Sequence, residues 1–337
     1  MYHDRFEGTH YEIGFRWGAL LAKHGNYILN HIGFPITAER LAFSESCLPV
    51  YQEYFPEILQ EIRGIADGQK CDEKRLRAFL FSMYAMPPCC NCSCFAVANG
   101  RNVLFGRNSD FLTELEKSNR NVLYRFKTHS FSFTGNTTAF VQMEDGVNEH
   151  GLAIGLTSIQ PTSVRPGMNA GLLLRFFLEK CKSTEEVVER LYTLPISSAQ
   201  TFTIADAAGN IAVAECCAEK VAIREPSGQK PYVCATNVFR ADEMARFNIA
   251  GIDNWQADER FETLVSALNR HADTMDLELA ADLLSGKHGF LCQYDRKTGK
   301  DTVWSVIYDL TRGKIYRAEG NPSRRRFQED TRFSMTK

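Results

Sequence analysis

The chain has 337 residues, 44% hydrophobic and 24% charged, enough to bury a sizeable core in one large domain or two modest ones. A formal net charge of −2 and a pI near 6.5 exclude the strongly basic surface that nucleic acid or anionic membrane would require, and the Arg324-Arg325-Arg326 run beside Glu329 and Asp330 reads as solvated surface. No apolar run is long enough to cross a bilayer, and the residues after Met1 lack the apolar stretch of a secretory leader, so a cytoplasmic setting is expected. Eleven cysteines, an odd number spread over a long chain, fit reduced thiols filling core space better than a disulfide scaffold.

The first ninety residues read as mostly helical. Thr9 and Glu12 form a capping box, and Ile13, Trp17, Leu20, Leu21, His24 and Ile28 recur at helical spacing, with His24 read as partly buried. Gly14, Gly18 and Gly25 weaken that helix intrinsically, although a glycine face admits a close neighbour. Residues 51–66 and 76–83 give two more helices, the second closed by Pro87 and Pro88. At residue 92 the pattern changes: "SCFAVA", "NGRN" and "NVLFG" read as strand, turn and strand. Strands are expected at 121–127, 137–143 and 152–157, and helices at 171–180 and 183–194, the latter with a Ser183–Glu186 capping box. "TFTIADAAGNIAVAEC" is a hairpin, residues 259–269 and 276–284 are helical, and "TVWSVIYDLTRGKIYRAEG" is a final hairpin. Hairpins argue for antiparallel sheets and paired helices for outer layers, an α+β arrangement in one compact domain.

Cys89, Cys90, Cys92 and Cys94 admit three chemistries. Structural zinc usually takes two separated ligand pairs, and Cys92 and Cys94 share one face of a strand, which disfavours a single tetrahedral centre. Cys89 and Cys92 have redox spacing, but a strand follows where a helix start would lower a thiol pKa. A nucleophile needs a base. His129, His150 and His288 are distant candidates without a recognisable dyad context. The amine of the nucleophile itself, freed by a cut just before it, would titrate near neutrality and serve as well.

Cys92-Ser93-Cys94-Phe95, followed about fourteen residues on by Gly106-Arg107-Asn108-Ser109-Asp110-Phe111, resembles the N-terminal nucleophile hydrolases. Within them it is most similar to the choloylglycine hydrolases and the autoproteolytic isopenicillin N acyltransferase-like group. "GTHYEIGFRWG", "DGVNEHGLAIGLT", "TFTIADAAGN", "CATNVF" and "YDLTRGKIYRAEGNP" resemble further family blocks in order, so the likeness runs nearly the full length. It implies a four-layer αββα sandwich with two stacked antiparallel sheets. It also implies a helical segment 1–91, a propeptide or small subunit, before a core at 92–337, the two together forming one domain.

By this resemblance Cys92 is the nucleophile, freed by scission of Asn91–Cys92, Asp110 orients its amine and Arg107 places it. Asn237 in "CATNVF" supplies an oxyanion donor, the Thr157 backbone is a second candidate donor, Asn148 shapes the preceding turn, and Arg260 in "DERF" supports the site. The related acyltransferases usually carry glycine before the cysteine; asparagine here is bulkier and predicts slower processing. The expected activity is hydrolysis of a linear amide with an apolar acyl group through a thioester, with Trp17, Phe111, Tyr124, Phe176 and Phe177 as candidate pocket residues. Acyl transfer to an amine is the first alternative, and a catalytically degenerate binding or structural protein the second. No cofactor or metal is called for. The expected partners are a small amide or acyl donor and the second cleavage fragment, with homo-oligomerisation left open.

Overall fold

A computed structural model describes residues 1–86, 91–228 and 230–336. In it β1 (Tyr2–Gly8) leads into α1 (His10–Lys23), followed by α2 (Ala38–Tyr54), α3 (Pro56–Gln69) and α4 (Glu73–Ser82). Six strands come next: β2 (Asn91–Ala98), β3 (Val103–Leu112), β4 (Arg120–Phe126), β5 (Phe133–Thr137), β6 (Asp145–Asn148) and β7 (Ala153–Ser158). The helices α5 (Ala170–Lys180) and α6 (Thr184–Thr193) separate these from β8 (Gln200–Ala205), β9 (Ile211–Cys216), β10 (Val221–Arg224) and β11 (Tyr232–Ala235). The chain then forms α7 (Ala257–His271), α8 (Leu277–Leu284), β12 (Lys300–Asp309), β13 (Lys314–Ala318) and β14 (Gln328–Glu329).

The strands make an eight-stranded sheet, ordered β1-β4-β5-β6-β7-β8-β9-β10, and a six-stranded sheet, ordered β11-β2-β3-β12-β13-β14. Between the sheets Cys94, Ala96, Phe105, Val306 and Tyr308 of the second pack on Leu123, Val147, Ala153 and Val213 of the first. The other face of the eight-stranded sheet is covered by α1, α3, α4 and α5 through residues such as Trp17, Ile62, Phe79, Leu174 and Phe177. The helices α7 and α8 cover the far face of the six-stranded sheet through Leu264, Leu268, Leu283 and Leu284 against Phe95, Val97 and Ile307. The fold is therefore an α+β sandwich of two sheets flanked by helical layers.

Local chemistry explains most boundaries. Both halves of the Thr9–Glu12 capping box form at α1. At α6 only half does: the Ser183 hydroxyl accepts from the Glu186 amide, while the Glu186 carboxylate reaches the Lys182 amide instead. Gly14 and Gly18 meet their counterparts Gly64 and Gly68, for a methyl at Gly14 would strike the Glu61 carbonyl and one at Gly64 the Tyr11 carbonyl. The weak helix formers of α1 are thus the condition for backbone contact with α3.

Several sequence expectations change. The N-terminal segment opens with a strand, and β1 pairs in parallel with β4, so the eight-stranded sheet is mixed. The strand expected at 137–143 ends at Thr137, because residues 138–144 turn so that Glu144 can bond the Thr138 amide and hydroxyl. His24 is exposed as the C-cap of α1. Trp17, Tyr124, Phe176 and Phe177 fill the helix–sheet core, and Phe111 packs against it, so they do not form an acyl pocket.

Candidate active site

Successive residues of β2 face opposite sides of the six-stranded sheet. Cys94 and Ala96 face the other sheet, which puts Cys92 on the same side, fully buried. Asn91, Ser93 and Phe95 face α7 and α8. The pairing of β2 with β3 sets Cys92 opposite Ser109, Cys94 opposite Arg107 and Asn91 opposite Asp110.

Arg107 crosses from one sheet to the other. Its Nη2 donates to Cys92 Sγ at 2.8 Å, Nη1 to Asp145 Oδ2 at 2.9 Å and Nε to the Leu156 carbonyl at 3.1 Å. Glu144 Oε2 lies 3.6 Å from Nη2. Burial opposes the guanidinium charge, but Cys92, Asp145, Cys94 and Glu144 around it outweigh that and hold it protonated. Such a cation stabilises negative charge on the Cys92 sulfur. Asp145 is itself held by Trp304 Nε1, Tyr308 Oη and Asn136 Nδ2. The path of Arg107 is open only because residue 155 is glycine, where a Cβ would lie 2.8 Å from Arg107 Cδ. Burial, against the pull of Arg107, pushes the Cys94 thiol up to about 12.

On the helix side Arg260 of α7 is the organiser. Its Nη1 donates to the Cys92 carbonyl at 2.7 Å and to Ser93 Oγ at 2.9 Å, and its Nη2 to Asn237 Oδ1 at 2.9 Å. Asn237 Oδ1 also accepts from the Cys92 amide at 3.0 Å, while Nδ2 donates to the Ser158 carbonyl at 2.8 Å, leaving a second N–H on that nitrogen. Asp110 lies 3.6 Å from Arg260 and accepts from Thr302 Oγ1 at 2.6 Å and Tyr294 Oη at 3.0 Å. A bulge between Thr302 and Trp304 in the β12–β3 ladder sets Thr302 opposite Asp110.

The structure thus brings Cys92, Arg107, Asp110, Asn237 and Arg260 together. Asn148 sits elsewhere: its side chain bonds the Leu178 and Cys181 carbonyls and the His150 and Leu152 amides, bracing the β6–β7 turn. The Thr157 hydroxyl is taken by Thr201 and the Thr236 carbonyl, so it fastens β7 to the strand end before Asn237. His150 packs edge-on against Phe131, His288 lies tilted against His271, and His129 is exposed. Sequence reasoning missed Asp145, Glu144, Tyr294 and Thr302. Asp145 opens the "DGVNEHGLAIGLT" block but is given no role by it, and Glu144, Tyr294 and Thr302 carry no motif of their own. Cys89 and Cys90 lie outside the described residues; among the described residues no group of three or more His, Cys, Asp or Glu side chains is placed to hold a metal. No described helix is long and apolar enough to cross a membrane.

The profile of the acyl-coenzyme A:6-aminopenicillanic acid acyl-transferase family matches residues 97–324, more than half of the sequence. The chain belongs to that family. This places it among the N-terminal nucleophile hydrolases, beside the choloylglycine hydrolases. Among solved structures, penicillin V acylase from Agrobacterium tumefaciens is similar at a TM-score of 0.50 and 17% identity, over 68% of this chain and 82% of that one, a likeness of fold. Two single-substitution variants of conjugated bile acid hydrolase from Clostridium perfringens are also similar. Their TM-scores are 0.48 and 0.45, at 16% and 14% identity, over 72% and 73% of this chain and 98% of theirs. No curated protein sequence matches.

Burial pushes the Asp110 carboxyl up to about 6, against the opposing pull of Arg260, Thr302, Tyr294 and Arg107. A carboxyl whose folded value exceeds the unfolded 3.8 contributes stability that is complete below that value and lost as pH rises through about 6. An uncut Cys92→Ala chain should therefore lose on the order of 2–3 kcal/mol across this window relative to the Cys92→Ala/Asp110→Asn chain. Urea titrations at stepped pH measure the difference. Parallel stability curves for the two proteins would contradict it.

Proposed function

We propose that the chain is a cysteine amidase that activates itself at Asn91–Cys92 and hydrolyses linear C–N amide bonds through a thioester. The observation that carries this reading is the pair of fully buried arginines on one residue, Arg107 on the Cys92 sulfur and Arg260 on the Cys92 carbonyl. A structural strand cysteine requires neither.

Activation starts when Cys92 Sγ attacks the Asn91 carbonyl carbon. The Asn91–Cys92 C–N bond breaks, its nitrogen takes a proton to become a free amine, and Asn91 is left as a thioester. Water hydrolyses that ester, releasing the Asn91 carboxylate and restoring the thiol. In turnover the amine takes the thiol proton, the sulfur attacks a substrate amide, and the proton passes to the departing nitrogen. Asn237 Nδ2 has an N–H to offer the oxyanion, and Arg107 stabilises the negative charge that builds on the sulfur as the proton leaves. Asp110, tied to Arg260, Thr302 and Tyr294, provides the negative charge that favours a protonated amine.

Acyl transfer is the second reading, favoured by the family's acyl-coenzyme A-dependent name. The two differ only in whether water or an amine resolves the thioester. Exposing the protein to penicillin V, a bile-salt conjugate and N-acyl amino acids should give fragments 1–91 and 92–337 and an acyl adduct on the larger one by mass spectrometry. An added amine that diverts product away from free acid selects transfer. Absence of both cut and adduct contradicts either enzyme reading.

A further inference from the structure

The residue before the nucleophile is not packed as filler. Asn91 is buried, and its carboxamide lies between two polar groups of the turn that leads into α7. With the nitrogen turned toward the Asn254 carbonyl it donates at 3.1 Å, and its oxygen accepts from Trp255 Nε1 at 3.3 Å. The opposite orientation would set carbonyl against carbonyl and N–H against N–H.

The turn that supplies this donor–acceptor pair is held in a costly shape. Trp255 and Gln256, neither a glycine, have φ of 53° and 58°, a left-handed conformation worth roughly 1–2 kcal/mol at each residue. Arg260 clamps it by donating from Nε to the Trp255 carbonyl at 2.9 Å and from Nη2 to the Asn254 carbonyl at 3.0 Å. Asp253 accepts from the Trp255 amide at 3.1 Å, and the Trp255 ring meets Tyr294 edge-on with centroids 5.6 Å apart. The guanidinium that grips the Cys92 carbonyl therefore also fixes the groups that hold the Asn91 side chain. Strain maintained by this many contacts marks a site.

We infer that the Asn254 carbonyl and Trp255 Nε1 form a carboxamide-binding subsite, first used to seat Asn91 for self-cleavage and afterwards to bind the acyl part of the substrate. This rests on the self-cleavage reading and sharpens it. The Asn91 carbonyl and the substrate carbonyl are attacked by the same sulfur, so what hangs from the first marks where the second must extend. In Asn91 a carboxamide carbon stands three bonds from the attacked carbonyl carbon. The substrate class is accordingly an amide whose acyl group carries a primary carboxamide at that spacing, not the purely apolar acyl group expected from sequence. The glycine usual in related acyltransferases could make neither bond, and asparagine here serves recognition.

Two measurements test this on the full chain. In the first, intact mass followed over time gives self-cleavage rates for wild type, Asn91→Leu, Trp255→Phe and the double variant. Leucine keeps the shape of asparagine without its polar atoms, and phenylalanine keeps a ring without the N–H. Asn91→Leu should slow cleavage about 10- to 100-fold, two hydrogen bonds being lost, and the penalty should shrink to about 3- to 10-fold when Trp255 is phenylalanine. In the second, cleaved protein should turn over the anilide of succinamic acid with kcat/KM about 3- to 10-fold above that of the isosteric 4-methylpentanoic anilide, a preference Trp255→Phe removes. Each releases aniline and, after water resolves the thioester, the free acid. Equal cleavage of Asn91→Leu and wild type, additive effects in the double variant, or equal use of the two anilides overturns the subsite while leaving the amidase reading standing. A wild type that is never cut overturns that reading, and the subsite with it.

Discussion

A Cys92→Ala chain is expected to remain one unbroken polypeptide and to hydrolyse amides at least about 10⁴-fold more slowly than wild type. The size of the effect follows from what alanine removes on the proposed reading: the atom that attacks, the reason for a cut at residue 91, and hence the amine that serves as base. Cys94 cannot substitute. It lies two residues along the same face, but burial raises its thiol to about 12, so almost none is ionised near neutral pH. Cys94→Ala should therefore still give fragments 1–91 and 92–337, which separates the two thiols in a single mass spectrum. A cut Cys92→Ala chain, or active wild-type protein with the 91–92 bond intact, would refute the assignment.

The largest effect on stability is expected at Arg175, far along the sequence from the thiol. This fully buried arginine of α5 donates from Nη2 to Glu61 of α3 at 2.7 Å and from Nε to Glu179, which in turn bonds His10 of α1 at 2.8 Å. Tyr124 of β4 donates to the other Glu61 oxygen at 2.9 Å, with its ring 4.0 Å from the guanidinium. Burial raises the Glu179 carboxyl, yet Arg175 and His10 outweigh it and hold the group at about 2. Arg175→Met would leave two carboxylates buried without their cation, a cost of about 3–5 kcal/mol. The melting temperature should fall by roughly 5–10 °C. Because His10 and Glu61 belong to segment 1–91 and Arg175 and Glu179 to the remainder, the same change should let the two pieces of cut protein separate in mild denaturant. Size-exclusion chromatography reads this directly. Unaltered melting and co-elution would mean that the apolar contacts alone hold the segment.

What could be read from the chain follows the range of the interactions involved. Helices with caps and hairpins with turn residues were legible because their signals lie within a few positions, as at Thr9–Glu12 and around Gly209. Cys92, Arg107 and Asp110 fall on two paired strands, so one motif spans them, and Asn237 and Arg260 were reached through family blocks. Asp145, Tyr294 and Thr302 were given no role, since Asp145 joins the site by the stacking of sheets, Thr302 through a bulge in a ladder and Tyr294 from the loop before β12. β1 was missed for a related reason. Its polar sequence has no alternation to detect, and it becomes a strand by lying along β4, with Asp4 paired to Arg120 and Phe6 against Trp17 and Tyr124. Asn91 was noticed only as bulk, because the groups that receive it are a backbone carbonyl and an indole more than 160 positions away.

Arg107 reaches the sulfur from one sheet while its guanidinium is moored to the other, at Asp145 and the Leu156 carbonyl. With Cys92 as the proposed nucleophile, the gap between the two sheets becomes a tuning parameter for its reactivity. Trimming the filling between them, at Phe105 or Val147 for example, is expected to shift the cation relative to the thiol.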